Sequence, residues 1–334
     1  MSKTTLSLDD VHALVVGSLI SAGATPENAA SVARSTVLAE RDGIRSHGLL
    51  YVPIYAGHVR CGKVDGAARP VVTTPKPGAV VVDGRTGFAH ASIDAGWEAF
   101  TTAIATNGVA VMTVYNSYNC GVLGHHAERL AEEGYVGLCT THAPASIAPI
   151  GGSKPVIGTN PFSLAVPDGE GGATLVIDQS ASVVAKSEIL LRAREKRPIE
   201  KGWALDREGQ PTEDAEAALK GSMLPAGGQK GFGAGLMVEI LASCLAGAVL
   251  SKDASPFSGN DGGPPRTGQC FIGFDPATFS KDSFLPQVRA LAEAITSQEG
   301  CRLPGSRRRN ARARTTTSGI EVPEDLLARI TNQT

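Results

Sequence analysis

Leu224-Pro225-Ala226-Gly227-Gly228-Gln229-Lys230-Gly231-Phe232-Gly233 sets four glycines round one lysine, just ahead of the strongly apolar run from Leu236 to Leu250. Only glycine takes φ > 0 freely and lets backbone approach a ligand without a Cβ in the way; a helix starting there adds unpaired N–H groups and the positive end of its dipole. The stretch reads as a landing for an anion, a phosphorylated molecule being the natural one, although a simple loop uses the same glycines. G-x-G-x-x-G, which a dinucleotide-binding Rossmann fold carries after its first strand, occurs nowhere in the chain. An ordinary Rossmann domain is therefore not expected.

Bulk composition narrows the class further. A chain of 334 residues, 42% apolar and 19% charged, buries a sizeable core in one large or two ordinary domains. Its net charge of −2 argues against general nucleic-acid binding, which needs a basic excess. The exception is an arginine cluster, Arg302, Arg307, Arg308, Arg309, Arg312 and Arg314. Cys61, Cys120, Cys139, Cys244, Cys270 and Cys301 stand singly, with no C-x-x-C pair and no secretory leader, which fits reduced thiols in the cytoplasm. No apolar run reaches the ~20 residues needed to span a bilayer. The expectation is a soluble cytoplasmic enzyme with a small-molecule substrate, no nucleic-acid partner and no membrane contact.

Along the chain, Ser7 with Asp9 and Asp10 starts a helix through Val11, Leu14, Val15 and Leu19, which Gly23 stops. Thr25-Pro26-Glu27 starts a second, with Ala29, Val32, Ala33 and Val37 on its apolar face. It runs into a polar loop, Arg41-Asp42-Gly43-Ile44-Arg45-Ser46-His47-Gly48. From Val80 the texture turns to short β-branched runs, Val80–Val82, Val109–Val114, Val136–Thr140, Leu175–Asp178 and Gln269–Phe274, alternating with helical segments at 123–133, 184–196 and 236–250. That alternation predicts an α/β sheet. Gly151–Pro167 and Ser255–Gly268 read as functional or interface loops. After Phe284 the chain returns to helices, with a last short one after Pro323. Three parts follow: an N-terminal helical part over 1–78, an α/β part over 79–283, and C-terminal helices over 284–334 that pack with the N-terminal part.

Chemistry-bearing motifs are few. Gly57 to Lys63 fits G-x-x-x-x-G-K, but Val64 replaces the metal-binding hydroxyl and no strand precedes it, so the match is accidental. His125 and His126 are adjacent and face different ways on a helix; no zinc pattern exists, and no metal is expected. G-x-S-x-G is missing. Ser46-His47 remains, an imidazole beside a hydroxyl, suited to proton exchange near neutral pH. His90, His125, His126 and His142 are further candidates for a pocket, whereas Trp97, Phe100 and Trp203 read as core or turn anchors.

Taken together, Arg41-Asp42-Gly43, Ser46-His47-Gly48, Gly158-Thr159-Asn160-Pro161, Asp178, Gly227-Gly228-Gln229-Lys230-Gly231 and Leu303-Pro304-Gly305-Ser306-Arg307-Arg308 resemble the malate/L-lactate dehydrogenase-like oxidoreductases in order and spacing over nearly the whole chain. Within that family the chain is most similar to the branch of Δ1-piperideine-2-carboxylate and Δ1-pyrroline-2-carboxylate reductases, with sulfolactate dehydrogenases close by. The resemblance implies a homodimer and a non-Rossmann nicotinamide-binding sheet domain with a helical domain built from both chain ends. It also implies that His47 exchanges the proton, that Ser46 orients it or touches substrate, and that Glu188 stands where relatives carry an acidic relay partner. Thr159, Asp178, Gln179, Ser180, Gln229, Lys230 and Arg307 would lie along NADPH or NADH, with Gly121, Val122 and Leu123 beside it. Lysine and arginine there suit phosphate and slightly favour NADPH.

Two departures from the family pattern bear on the reaction. Asn119 stands where relatives that oxidise hydroxy acids carry a proton-accepting histidine, and Tyr51 stands where relatives carry a carboxylate-clamping arginine. Arg45, Arg60 and Arg192 are candidates to replace that cation. A ketone must receive a proton as hydride arrives, whereas a protonated cyclic imine already carries its activating charge, so these losses favour imine reduction. The expectation is reduction of a cyclic 2-imino acid with Asn119 and Tyr51 as neutral hydrogen-bonding groups. The alternatives are a 2-hydroxy acid dehydrogenase of the sulfolactate, malate or lactate type, and a catalytically silent relative using its arginines for interaction.

Overall fold

The computed structural model describes residues 2–331. Strand β1 (Lys3–Leu6) leads into helix α1 (Leu8–Ser21), whose start is fixed by Ser7 accepting from the Asp10 N–H while the Asp10 carboxylate accepts from the Ser7 N–H. Helix α2 (Pro26–Arg41) begins with Thr25 as cap and proline in its first turn. Helix α3 (Val52–Arg60) follows the Ser46–His47 loop. Then come β2 (Val71–Lys76), β3 (Ala79–Asp83), α4 (Ala89–Asn107), β4 (Val109–Ser117), α5 (Leu123–Glu132), β5 (Val136–Thr141), β6 (Phe162–Pro167) and β7 (Ala173–Gln179). A smaller unit holds α6 (Lys186–Arg194), β8 (Ala204–Leu205), β9 (Pro211–Thr212), α7 (Ala215–Lys220) and β10 (Ser222–Met223). Helix α8 (Gln229–Glu239) widens into a π turn at Ile240–Leu245. The chain ends with β11 (Thr267–Phe274), α9 (Pro276–Ser280), α10 (Phe284–Thr296), α11 (Ser306–Ser318), β12 (Ile320–Pro323) and α12 (Glu324–Thr331).

Seven strands form the main sheet in the order β2-β3-β4-β11-β5-β6-β7. Only β3 and β4 run parallel, joined by the α4 crossover; every other pairing in this sheet is antiparallel. Helices α4 and α5 cover it with Ile93, Trp97, Phe100, Ile104, Leu123 and Leu130 against Val82, Met112 and Phe271. A second core joins α1, α2 and α3 to Ile320, Val322, Leu326 and Ile330 from the far end of the chain. That core is sewn shut by β1 pairing with β12, Lys3 opposite Pro323 through Leu6 opposite Ile320.

Three sequence expectations change. The sheet starts at Val71, ahead of the expected edge at 79, because β2 pairs with β3. Phe162–Pro167, read as loop, is a strand: Ser163 and Ala165 face the interior in strict alternation. Helix α10 packs near β7 and α9 rather than on the N-terminal helices, so the C-terminal contribution to that core comes from β12 and α12, with α11 against α2.

Candidate active site

Glu40, buried near the end of α2, shapes the Ser46–His47 loop: its carboxylate accepts the Leu49 N–H at 2.7 Å. Burial raises the Glu40 carboxyl pKa, and this N–H counters it. A Cβ on Gly48 would lie 2.1 Å from that carboxylate, so the loop needs glycine there. The short 3-10 turn Arg45–His47 then brings Ser46 Oγ to 3.0 Å from His47 Nδ1. His47 is half-buried. Desolvation lowers its pKa, the nearby Asp178 carboxylate opposes that, and His125 and Arg308 add to the lowering.

Asp178, at the end of β7, accepts the Gly124 N–H at 3.0 Å and Arg308 Nη2 at 2.5 Å. The carboxylate charge that reaches His47 is thus Asp178. Glu188 binds Arg192 on its own helix at 3.0 Å and makes no hydrogen bond to His47. Arg192 also donates to the Pro198 carbonyl and lies over the Trp203 ring, 4.6 Å from its centroid, so Trp203 packs against a guanidinium. Arg45 and Arg60 are exposed.

Four residues after His47, Tyr51 begins a neutral cluster. Asn119 Oδ1 accepts the Gly121 N–H at 2.7 Å and the Tyr55 hydroxyl at 3.4 Å. Burial pushes the Tyr51 hydroxyl pKa up to about 12, with Asn119 opposing the rise. The Tyr51 and Tyr55 rings lie 4.8 Å apart. Tyr55 was missed in the sequence; its signal was its place four residues after Tyr51, on the same helix face. Behind it, His90 is fully buried and its pKa falls to about 3, burial being the main cause. Gly121, with φ +72, brings the turn against Ser35 and His90, and Val122 and Leu123 follow as buried residues at the start of α5.

The glycine stretch forms the next wall. Gly227 and Gly228 take φ +62 and +63, and Gln229 and Lys230 open α8, exposed, with no side-chain cap on its N–H groups. A Cβ on Gly231 would come 2.2 Å from the Ala226 carbonyl. The Thr159 carbonyl accepts the Ala181 N–H at 2.8 Å, and the Ala181 carbonyl accepts the Ala226 N–H at 2.8 Å, so Thr159, the Asp178–Ser182 stretch and the glycines form one connected wall. Gln179 is exposed, and Ser180 Oγ lies 2.9 Å from Ser182 Oγ. Uncapped N–H groups, open space over Gly227 and Gly228, and exposed Lys230 suit the diphosphate of a nicotinamide dinucleotide.

Remaining candidates fall into place around this. Arg308 serves Asp178, Arg309 donates to the Ala173 and Thr174 carbonyls, and Arg312 clamps Asp42 at 2.7 and 3.0 Å while also reaching Glu128. Half of the arginine cluster is thus spent inside the molecule; Arg307 is exposed on the first turn of α11. Burial pushes the Asp42 carboxyl up, but bonds from His125, Arg312 and Arg41 outweigh it and hold the pKa below the usual range. His125 meets Asp42 at 3.1 Å and His126 the Cys120 carbonyl at 2.9 Å, facing apart as expected. Asp42, His125 and Glu128 come within reach of one another, with Arg312 bound to both carboxylates. Lys63, the lysine of the accidental motif, is buried and donates to the Pro256 and Gly259 carbonyls.

Residues 6–331 match the malate/L-lactate dehydrogenase family. The chain belongs to that family of NAD(P)-dependent oxidoreductases. It is 41% identical over 322 residues to a (2R)-3-sulfolactate dehydrogenase (NADP(+)) of Chromohalobacter salexigens, covering 96% of this chain and 95% of that one. It is 38% identical over 328 residues to a Δ1-pyrroline-2-carboxylate reductase of Ancylobacter novellus, with coverage of 97% and 96%. A solved Δ1-piperideine-2-carboxylate reductase from Pseudomonas syringae superposes with a TM-score of 0.93 at 32% identity, over 99% of this chain and all of that one. The non-Rossmann α/β sheet domain with a helical domain from both chain ends is the sulfolactate dehydrogenase-like fold the sequence implied. No helix among the described residues is long and apolar enough to cross a membrane.

Proposed function

We propose that this oxidoreductase reduces a cyclic 2-imino acid, of the Δ1-piperideine-2-carboxylate or Δ1-pyrroline-2-carboxylate type, to the L-amino acid, with NADPH favoured over NADH. A reduced nicotinamide bound along Thr159, Asp178, Gln179, Ser180, Gln229, Lys230 and Arg307, beside Gly121, Val122 and Leu123, supplies hydride. The observation that carries the reading is the neutral character of the pocket. Asn119 accepts from Tyr55, whose ring packs against Tyr51, where hydroxy-acid relatives use charged or titrating groups, and His47 is biased toward its neutral form.

A neutral imidazole accepts a hydrogen bond from a protonated C=N–H and does not repel its charge. His47 does this in the present account, with Ser46 on Nδ1 fixing the ring and leaving Nε2 for substrate. Asn119 and Tyr51 orient the substrate, and Glu188 is an outer acidic partner reached on substrate binding. Lys230 and Arg307 are the cations for the diphosphate or a 2′-phosphate. Exposed Met237, Ile240 and Leu245 along α8 and its π turn support a homodimer that covers them. Six free thiols with no disulfide support a cytoplasmic setting.

A second reading has its own support. A relative named as a (2R)-3-sulfolactate dehydrogenase shares 41% identity, and His47 alone can serve as base for hydroxy-acid oxidation. Steady-state kcat/KM with NADPH separates the two on Δ1-piperideine-2-carboxylate, Δ1-pyrroline-2-carboxylate, pyruvate, oxaloacetate and sulfopyruvate. The proposal expects the imines to be reduced faster; faster ketone reduction overturns it. The pH profile adds a sign. Imine reduction with neutral His47 gains rate as pH rises through the lowered His47 pKa, below 6.5, whereas ketone reduction fed by protonated His47 loses rate over the same window.

A further inference from the structure

Behind the wall formed by Thr159 and the α8 glycines lies a buried polar knot that the function above does not use. Asn160 is fully buried and sits at φ +40. Its Oδ1 accepts the Ala143 N–H at 3.2 Å, and its Nδ2 donates to the Gly235 carbonyl at 3.0 Å and to Glu239 Oε2 at 2.8 Å. Glu239, also buried, accepts the Ser251 N–H at 2.7 Å and the Ser251 hydroxyl at 2.5 Å. Since that hydroxyl gives its proton to Glu239, its oxygen accepts from His142 Nδ1 at 3.2 Å, which fixes the imidazole tautomer. Burial holds the His142 pKa at about 4, opposed by Glu239, so the ring stays neutral and Glu239 meets only dipoles.

Four segments meet in this knot: the end of β5, the Gly158–Pro161 turn, α8 and the Ser251 loop. Two of them carry the proposed cofactor contacts, Thr159 one residue before Asn160 and Gln229–Lys230 about one and a half turns before Gly235. The fit is close. A Cβ on Gly235 would lie 2.8 Å from Ile157 and 2.9 Å from Ala181, and one on Gly158 would lie 2.2 Å from the Ala143 carbonyl. Helix α8 leaves α geometry at Ile240, directly after Glu239, and such π turns concentrate at functional sites.

We propose that Glu239 and Asn160 are positioning residues for the cofactor: the carboxylate–amide bond sets the spacing between the Thr159 turn and the α8 N-terminus, and so tunes nicotinamide dinucleotide binding without touching it. This rests on the cofactor placement given under the proposed function. Glu239→Gln keeps the shape but turns one accepting oxygen into a donor that faces the Asn160 and Ser251 donors. Adding Asn160→Asp restores a donor–acceptor pair between the two side chains.

Fluorescence titration with NADPH, with NADPH KM, kcat and Tm measured alongside, tests this. The expected result for E239Q is roughly tenfold weaker NADPH binding and a matching rise in KM, with kcat within about twofold of wild type, and partial recovery of affinity in the E239Q/N160D double variant. Unchanged NADPH affinity in E239Q, whether or not its Tm falls, overturns the proposal and leaves the cofactor site standing. Failure of E239Q to fold, with an unchanged NADPH affinity in folded N160D, also overturns it. Absence of NADPH binding by the wild type removes the cofactor placement and this proposal together.

Discussion

Around His47, position comes from charged side chains drawn from distant stretches: Asp42 and Arg312 clamp helix to helix, and Asp178 with Arg308 closes the corner from β7 and α11. Around Thr159 and Gln229, position comes from backbone, with carbonyls and N–H groups bonded directly and glycines where a Cβ would collide. A proton-handling group needs a local field, which only charges supply. A diphosphate cradle needs exposed N–H groups and close approach, which glycine supplies. The two regions should therefore fail differently when altered.

The largest effect is expected at the imidazole. His47→Ala should lower kcat/KM for the imine by about 10- to 100-fold, the scale of a hydrogen bond to a charged group, with far-UV circular dichroism and NADPH affinity unchanged. Full activity in that variant would remove His47 from the chemistry. Next comes the charged frame: Arg312→Ala strands the fully buried Asp42 carboxylate with fewer partners and should cost about 3 kcal/mol in urea unfolding, the lower end for a broken buried pair because Arg312 is partly exposed. A loss under about 0.5 kcal/mol would show that Arg41 and His125 suffice.

On the cradle side, Gly231→Ala should weaken NADPH binding by about tenfold, since the backbone at Ala226 must move away from the new methyl, and should lower urea stability by about 1–3 kcal/mol. If stability falls and binding holds, the glycine serves packing alone. Tyr51→Phe is the mildest change. It removes one neutral hydroxyl proposed to orient the substrate, a hydrogen bond worth about 1 kcal/mol, and should lower kcat/KM for the imine by about fivefold.

The same contrast explains what the sequence revealed. Backbone demands show as residue types at close spacing, so the glycines before α8, the Ser7 and Thr25 caps and the Ser46–His47 loop were readable at once. Long-range side-chain partnerships leave no such trace. Nothing local says that Arg312 meets Asp42, that Arg308 meets Asp178 or that Asn160 meets Glu239, and the arginine run therefore read as a possible interaction surface. Strand β1 is four residues long and finds its partner β12 only across the whole chain, so both were missed as strands. Strand β6 was hidden by the Gly/Pro-rich approach to it, and β11 was seen as a strand without its central place between β4 and β5.

The meeting of the two regions at one substrate is tested most directly by a crystal structure with NADPH and pyrrole-2-carboxylate, a planar analogue of the cyclic imine. The nicotinamide is expected against the Gly121 turn, the diphosphate on the α8 N-terminus, and the analogue ring nitrogen within hydrogen-bond distance of His47 Nε2, with Tyr51 and Asn119 on its far side. An analogue seated away from His47, or a dinucleotide bound clear of Thr159 and Lys230, would contradict it.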